Sequence, residues 1–142
     1  MDDEEFTIEK RLERGREFAD RMRPGMNQFL VEHFNGPSAD FGRYLTEWAF
    51  GEVWQREGLS IRDREIAILG VLIGGGYLKE VRAHVRIAVN LGLTRNEVAE
   101  IAMQSALYVG MPRAGEIFAL IEEALPIEQF DIEGRPLASW PG

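Results

Sequence analysis

Residues 60–92 read SIRDREIAILGVLIGGGYLKEVRAHVRIAVNLG, and this stretch decides the fold. Apolar side chains occupy most positions of 66–73, on nearly every side of a helix, which is typical of a buried helix. Three consecutive glycines at 74–76 interrupt the pattern, because glycine tolerates the turn conformations that end helices. Apolar residues return at helical spacing over 81–91, and Gly92 is a typical residue just past a helix end. The stretch therefore predicts two helices joined by a glycine turn, with the first helix central.

The rest of the chain also shows helical rather than strand periodicity, because no segment alternates between apolar and polar residues with a period of two. We expect Ser38 to cap a helix with a wide aromatic stripe, and Thr94 with Glu97 to form a capping box for a later helix. We therefore predict an all-α, compact domain of five to seven helices, with residues 1–142 forming a single domain. The further predicted helices cover residues 4–22 (weakened at Gly15), 39–56, 95–109 and 113–125, while residues 26–34 are a short apolar run closed by the breaker Asn35-Gly36-Pro37.

Composition excludes several classes of function. The 142 residues include 24 acidic and 16 basic side chains, and the resulting net charge of −8 disfavours nucleic acid as a partner. The sequence has no cysteine, so disulfides, thiolate nucleophiles and cysteine-based zinc sites are excluded. The start of the sequence is acidic and lacks the apolar core of a signal peptide, and no apolar run is long enough to span a membrane. The sequence therefore predicts a cytoplasmic protein.

Two residues of the decisive stretch can do proton chemistry together. Glu80 and His84 lie four residues apart, within side-chain reach on one face of a helix, and an imidazole exchanges protons near neutral pH. If the two helices pack antiparallel, Glu65 reaches the level of His84 and all three groups converge. The alternative is a solvated Glu80, a His84 satisfied by a carbonyl and a Glu65 that only favours its helix N-terminus. A metal site is not predicted, because the spacing supplies too few ligands and the only other imidazole is His33.

Arginines and aromatic residues near these groups offer a place for an anionic substrate. Arg62 and Arg64, in the first turn of the Glu65 helix, are expected to reach a pocket mouth or else the surface. Arg82 and Arg86 point away from His84 and are expected on a solvated face, with Glu97 or Glu100 as possible partners. Three aromatic residues can wall a pocket but are more often core: Trp48, Phe50 and Trp54. The apolar tail, residues 127–142, is expected to lie in a groove of its own subunit or of a partner.

Three blocks, taken in order, resemble the carboxymuconolactone decarboxylase family. The first is WAFGEVWQREGLSIRDR at residues 48–64, the second is Glu80-x-x-x-His84-x-x-x-Ala88-x-x-x-Gly92-Leu93-Thr94-x-x-Glu97, and the third is Tyr108-x-Gly110-x-Pro112. The resemblance covers about residues 38–125. It implies an alkylhydroperoxidase D-like all-α fold and a homo-oligomer, commonly a trimer or hexamer.

The resemblance also implies a chemistry. The peroxidase branch of the superfamily carries a cysteine pair where this sequence has Tyr77 and Glu80, so the chain looks like the cysteine-free decarboxylase branch. Glu65 departs from that branch, since it matches the proton-relay glutamate of the peroxidases. The implied reaction is decarboxylation of a small anionic substrate, a carboxylated lactone such as 4-carboxymuconolactone, without metal or organic cofactor.

In that reaction His84 is the proton donor or oxyanion partner, Glu80 its orienting group or relay, and Glu65 an auxiliary acid–base group. Arg62 or Arg64 is expected to bind a substrate carboxylate, and Trp48 and Tyr77 to contact the substrate. Two alternatives stay open from the sequence: a related enzyme that acts on another lactone or a keto acid, and a non-catalytic oligomeric scaffold.

Overall fold

The computed structural model describes residues 7–142 of the chain. Within that range the protein is helical and contains no strand, only an isolated β-bridge between Phe130 and Pro136, so the all-α prediction is confirmed. Residues 4–6, where the first helix was predicted to begin, lie outside the described part. The seven α-helices are α1 (Ile8–Met22), α2 (Met26–His33), α3 (Ala39–Tyr44), α4 (Ile61–Gly75), α5 (Leu78–Asn90), α6 (Arg95–Val109) and α7 (Met111–Ala124).

The chain divides into two compact units, residues 1–61 and 62–142, and each is described separately. That residues 1–142 act as a single domain stays a prediction. Within residues 7–142, no helix is long and apolar enough to cross a membrane.

In the first unit, α1 packs closely against a π-helical segment, Leu45–Phe50, that continues from α3. Glycine makes this approach possible, because a Cβ atom on Gly51 would lie 2.0 Å from the carbonyl oxygen of Arg11. An ion pair reinforces the contact, with Arg11 Nη2 placed 2.8 Å from Glu47 Oε1. The core of this unit consists of buried apolar residues from α1, α2, the π-helical segment and the short turn that follows it: Phe18, Ala19, Met22, Met26, Leu30, Phe50 and Trp54.

The prediction of one continuous helix over residues 39–56 is wrong. The segment is α-helical to Tyr44, π-helical over Leu45–Phe50 and 3₁₀-helical over Val53–Gln55. The expected cap is also wrong, because the Ser38 hydroxyl donates to the carbonyl of Asn35 at 3.0 Å and does not accept from the helix. A π-helix bonds each N–H five residues back and differs too little from an α-helix over six residues to be read from periodicity.

In the second unit the core forms around α5, which corrects the expectation that α4 is central. Five α5 residues are buried: Val81, Val85, Ile87, Ala88 and Val89. Helix α4 buries Glu65, Leu69 and Ile73 and leaves Val71 exposed on its outer side. Although α4 is apolar on nearly every side, only the stripe that faces α5 and the rest of this core is covered within the chain.

The tail lies on its own unit, which resolves the two possibilities raised by its composition. Phe130 is buried in the core of the second unit, and Trp140 packs against that core. The indole N–H of Trp140 donates to Asn90 Oδ1 at 3.0 Å, and Arg86 stacks over the Trp140 ring at 4.7 Å. Arg86 also donates to the main-chain oxygen of Gly142 at 2.6 Å. The tail is therefore fastened to the outer face of the helix that carries His84.

Candidate active site

Helices α4 and α5 bring Glu65 and His84 together. Helix α4 ends at Gly75, and Gly76 turns the chain with a φ of 75°, a conformation that glycine adopts without strain. Helix α5 then starts at Leu78, runs back along α4 and carries His84 to the level of Glu65. The antiparallel arrangement expected from the sequence thus holds for this pair of side chains.

The contact between the two side chains is a hydrogen bond made inside the protein. His84 Nδ1 lies 2.9 Å from Glu65 Oε1 and 3.1 Å from Oε2. Glu65 is 0% exposed, whereas the His84 side chain keeps 18% of its surface in solvent. The imidazole therefore connects a buried carboxyl group to the outside, which is the arrangement that a proton relay requires.

Burial raises the pKa of the Glu65 carboxyl above its ordinary value of 4.5, and the hydrogen bond and charge of His84 offset only part of that effect. A protonated Glu65 donates a hydrogen bond to Nδ1 of His84. An ionised Glu65 accepts a hydrogen bond from the Nδ1–H group. Whichever form is present, Glu65 occupies Nδ1 and leaves Nε2 as the nitrogen for other chemistry. Among residues 7–142, none forms a hydrogen bond with Nε2.

Replacing Glu65 by glutamine is expected to change how stability depends on pH. Because the folded-state pKa of Glu65 is raised, its contribution is fully present below pH 4.5 and is lost as the pH rises through the folded value. Each unit of that rise corresponds to about 1.4 kcal/mol. The free energy of unfolding of wild type should therefore fall relative to Glu65→Gln between pH 4.5 and neutral pH, as measured by urea unfolding.

Glu80→Gln is the matched control for that experiment, because it removes an exposed carboxylate from the neighbouring helix. Curves for wild type and Glu65→Gln that run parallel from pH 4 to 8 would contradict the direction given for the Glu65 pKa.

Glu80 lies apart from the pair. It is exposed in the first turn of α5, and within the described chain it forms no hydrogen bond or ion pair. Four residues on a helix correspond to about 400° of rotation, so Glu80 is turned by about 40° from His84. That rotation leaves Glu80 in water while His84 faces α4. Of the three groups expected to converge, the structure brings together two.

Arg62 and Arg64 are both half-buried in the first turn of α4. Arg62 Nη2 donates to Glu97 Oε1 on α6, a partner that sequence spacing gave no means of finding. The partners considered for the α5 arginines were wrong. Arg82 pairs with Glu123 on α7 at 2.5 Å, and Arg86 binds the tail, because the outer face of α5 looks toward α7 rather than toward the start of α6.

The two aromatic residues expected to contact substrate are both exposed. Trp48 belongs to the first unit, where 65% of its surface is accessible, so its interpretation as a core residue is wrong and its contact with substrate stays a prediction. Phe50 and Trp54, from the same stretch, are buried core residues. Tyr77 belongs to the second unit, directly before α5, and its ring lies against Gly75.

The described part of the chain contains no group of three or more histidine, aspartate or glutamate side chains placed to hold a metal ion. His33, the second histidine, lies in the first unit and stacks on Phe29 with ring centroids 5.0 Å apart. The titratable side chains that the structure brings into hydrogen-bonding contact at the site are Glu65 and His84.

The chain is similar to a known protein family and to several characterised and uncharacterised proteins. Residues 39–123 match the profile of the Carboxymuconolactone decarboxylase family. A 4-carboxymuconolactone decarboxylase from Acinetobacter baylyi is 33% identical over 93 residues, 66% of this chain and 69% of the relative. The nitrosuccinic acid decarboxylase NpaB of Metarhizium robertsii is 37% identical over 81 residues, 57% of each protein. An uncharacterised 15.0 kDa protein from Paracoccus denitrificans is 28% identical over 107 residues, 74% of this chain and 80% of the relative.

Proposed function

The chain belongs to the carboxymuconolactone decarboxylase family, and from this premise we propose that it decarboxylates a small carboxylated substrate of the 4-carboxymuconolactone type by acid–base catalysis. The observation that carries the proposal is the hydrogen bond between Glu65 and His84, which joins a buried carboxyl to a partly exposed imidazole. The proposed reaction needs no metal or organic cofactor, because the substrate itself accepts the electrons that carbon dioxide leaves behind.

The names of two relatives support a chemical class of substrate for this chain. One relative is named for 4-carboxymuconolactone and the other for nitrosuccinic acid. Both compounds carry two carboxyl groups and an electron-accepting group, a lactone carbonyl in one and a nitro group in the other. Loss of one carboxylate leaves an anion that the accepting group delocalises. We assign this chain a substrate of that class: a small dicarboxylate that loses one carboxylate and keeps the other.

The reaction proceeds in two linked events. The bond between carbon and the leaving carboxylate breaks, and in a lactone its electron pair moves through the ring alkene to the carbonyl, giving a dienolate. His84 then delivers a proton from Nε2 to carbon, while Glu65 returns a proton to Nδ1, so the imidazole stays neutral. A placed general acid of this kind contributes about 10²–10⁴-fold to a rate. Stabilisation of the developing oxyanion supplies a further part of the acceleration.

The remaining residues have supporting roles in this proposal. Glu80 serves as a relay between solvent and the imidazole, since it is exposed one turn before His84 on the same helix. Arg62 and Arg64 supply positive charge to the substrate, and Trp48 and Tyr77 supply apolar walls. The leaving carboxylate meets apolar surface, because tight binding of that group would stabilise the ground state rather than the transition state.

A substrate panel tests the proposal. The purified protein is expected to accelerate release of carbon dioxide from 4-carboxymuconolactone or nitrosuccinate above the rate without enzyme. In D₂O the lactone product should carry deuterium at the carbon next to the ring carbonyl, where the dienolate is protonated, and the nitrosuccinate product at the carbon that lost the carboxylate. Carbon-13 and proton NMR measure both quantities. Turnover confined to keto acids would overturn the substrate class. No acceleration with any member of the panel would leave the protein a non-catalytic scaffold and overturn the proposal.

We extend the proposal to the form in which the protein works: a single-domain cytoplasmic homo-oligomer, a trimer or hexamer, in the catabolism of aromatic compounds. Exposed apolar side chains support assembly. Helix α3 and its π-helical extension expose Phe41, Tyr44 and Trp48 at helical spacing, and the end of α6 and the start of α7 expose Leu107, Tyr108 and Met111. Large apolar patches of this kind mark interaction surfaces more often than bare surface.

A further inference from the structure

Arg62 lies one helical turn before Glu65 on α4. Residues three apart share a face of a helix, so the Arg62 side chain leaves α4 on the side that carries the acid–base pair. Its side chain is 38% exposed, which places the guanidinium at the edge of the protein rather than in its core. Arg62 is therefore positioned to meet a ligand that reaches His84 from solvent.

Glu97 holds Arg62 from the start of α6, and it does so while capping that helix. Its Oε2 accepts from the main-chain N–H of Thr94 at 2.9 Å, and its own N–H donates to Thr94 Oγ1 at 3.1 Å. The other oxygen, Oε1, accepts from Arg62 Nη2. The Thr94 N–H, and after it Arg62, lower the pKa of Glu97, so the carboxylate stays ionised. The helix cap thus fixes the position of the arginine.

One nitrogen of Arg62 has no acceptor. Nη1 is buried, and within residues 7–142 nothing accepts a hydrogen bond from it. Burying a donor without an acceptor is unfavourable, so an anion that brings oxygen atoms to this guanidinium relieves a cost already present. Two arginines on α5 and α7 already have partners. Arg82 pairs with Glu123, and Arg113 pairs with Glu116 and donates to the carbonyl of Ile73.

We propose that Arg62 binds the carboxylate that the substrate keeps, and that Glu97 is a positioning residue that holds Arg62 for this task. The inference rests on the proposed function for the identity of the substrate. It assigns this role to Arg62 because Glu97 fixes the position of that arginine, and it gives the capping glutamate of α6 a second role. Guanidinium binds a carboxylate through two parallel hydrogen bonds, so one edge serves Glu97 and another serves the substrate.

Two variants test the inference. Arg62→Met removes the guanidinium and is expected to raise KM for the dicarboxylate substrate about 10- to 100-fold with little change in kcat, the loss typical of a charged hydrogen bond. Glu97→Gln keeps the helix cap, because glutamine also serves in capping boxes, but weakens the hold on Arg62. For that variant we expect an unchanged Tm and a KM raised about 3- to 10-fold by the loss of side-chain ordering.

Arg82→Met is the matched control, since it removes a surface arginine from α5 that pairs with Glu123. A substrate analogue that lacks the retained carboxylate should show the same KM with all the variants. An unchanged KM for the dicarboxylate with Arg62→Met would overturn the anchor. A KM that falls in Glu97→Gln would overturn the positioning role, because Glu97 would then compete with the substrate.

Calorimetry separates this inference from the proposed function. Succinate, a stable dicarboxylate, is expected to bind wild type and to bind Arg62→Met at least 10-fold more weakly, whether or not the protein decarboxylates anything. If the Arg62→Met variant turns over the substrate panel normally, Arg62 does not bind the retained carboxylate, but the proposed decarboxylase function is unaffected. If the protein shows no turnover but its succinate binding depends on Arg62, the carboxylate-binding role of Arg62 is supported and the proposed function is overturned.

Discussion

Replacing His84 by alanine is expected to reduce kcat about 10²–10⁴-fold, the contribution of a well-placed general acid. In the proposed reaction His84 is the group that carries a proton from the buried Glu65 to carbon, and no other described histidine lies in the second unit. Steady-state kinetics on the substrate identified by the panel measure the effect. The His84 side chain is only partly buried, so the helices should survive its truncation and the variant should elute at the same volume as wild type on size-exclusion chromatography.

His84→Ala leaves the Glu65 carboxyl buried without its partner, which costs stability of its own. His84→Asn avoids that problem, because the asparagine amide lies near the position of Nδ1 and can still bond to Glu65, while nothing replaces Nε2. This variant should lose activity as fully as the alanine variant. His33→Ala is the control, because His33 is exposed on the first unit. An unchanged kcat in a folded His84→Asn protein would rule out His84 as the acid.

Capping residues made parts of the fold predictable. The capping box of Thr94 and Glu97 and the positive φ of Gly92 are present as expected, and α6 spans Arg95–Val109 as predicted. These features depend on main-chain geometry within a few residues of sequence, so local reasoning is sufficient for them.

The π-helical segment was not predictable for the opposite reason. It is held where α1 crosses it, through contacts between residues about 36 positions apart such as Arg11 and Glu47. Neither the intervening sequence nor the local pattern of apolar residues indicates that crossing, so a periodicity argument extends the α-helix through it.

The site divides in the same way. Placing Glu65 opposite His84 needed only an antiparallel pair of helices with a glycine turn, which the sequence indicated. Spacing also favoured Glu80 as the partner of His84. The reason is that the spacing of two residues along a helix gives their distance but does not show which side of the helix is buried. The pairing of Arg62 with Glu97 depends on how α6 returns past α4, and nothing in the sequence spacing specifies that return.

Replacing Gly51 by alanine is expected to destabilise the protein by about 3 kcal/mol or more, at the upper end of what overpacking costs. The added Cβ would lie 2.0 Å from the carbonyl oxygen of Arg11 and 2.6 Å from that of Glu47. Both atoms belong to the main chain, so no side-chain rotation can relieve the overlap and α1 must move away from the π-helical segment. Any residue can adopt the φ of −82° found at Gly51, so the cost is steric and not conformational.

Gly58→Ala provides the matched comparison, because Gly58 belongs to the same unit and a Cβ atom there would meet no heavy atom within 4 Å. Both variants remove one glycine from the unfolded chain, so the difference between them isolates the crossing of α1 over the π-helical segment. In a Trp140→Phe background, urea unfolding followed by tryptophan fluorescence reports on this unit, since the remaining Trp48 and Trp54 both belong to it and Trp54 is buried in its core. The Gly51→Ala transition should move to lower urea while Gly58→Ala stays near wild type. If the two variants unfold at the same urea concentration, the close approach does not hold α1 in place, and the ion pair of Arg11 with Glu47 becomes the contact that does.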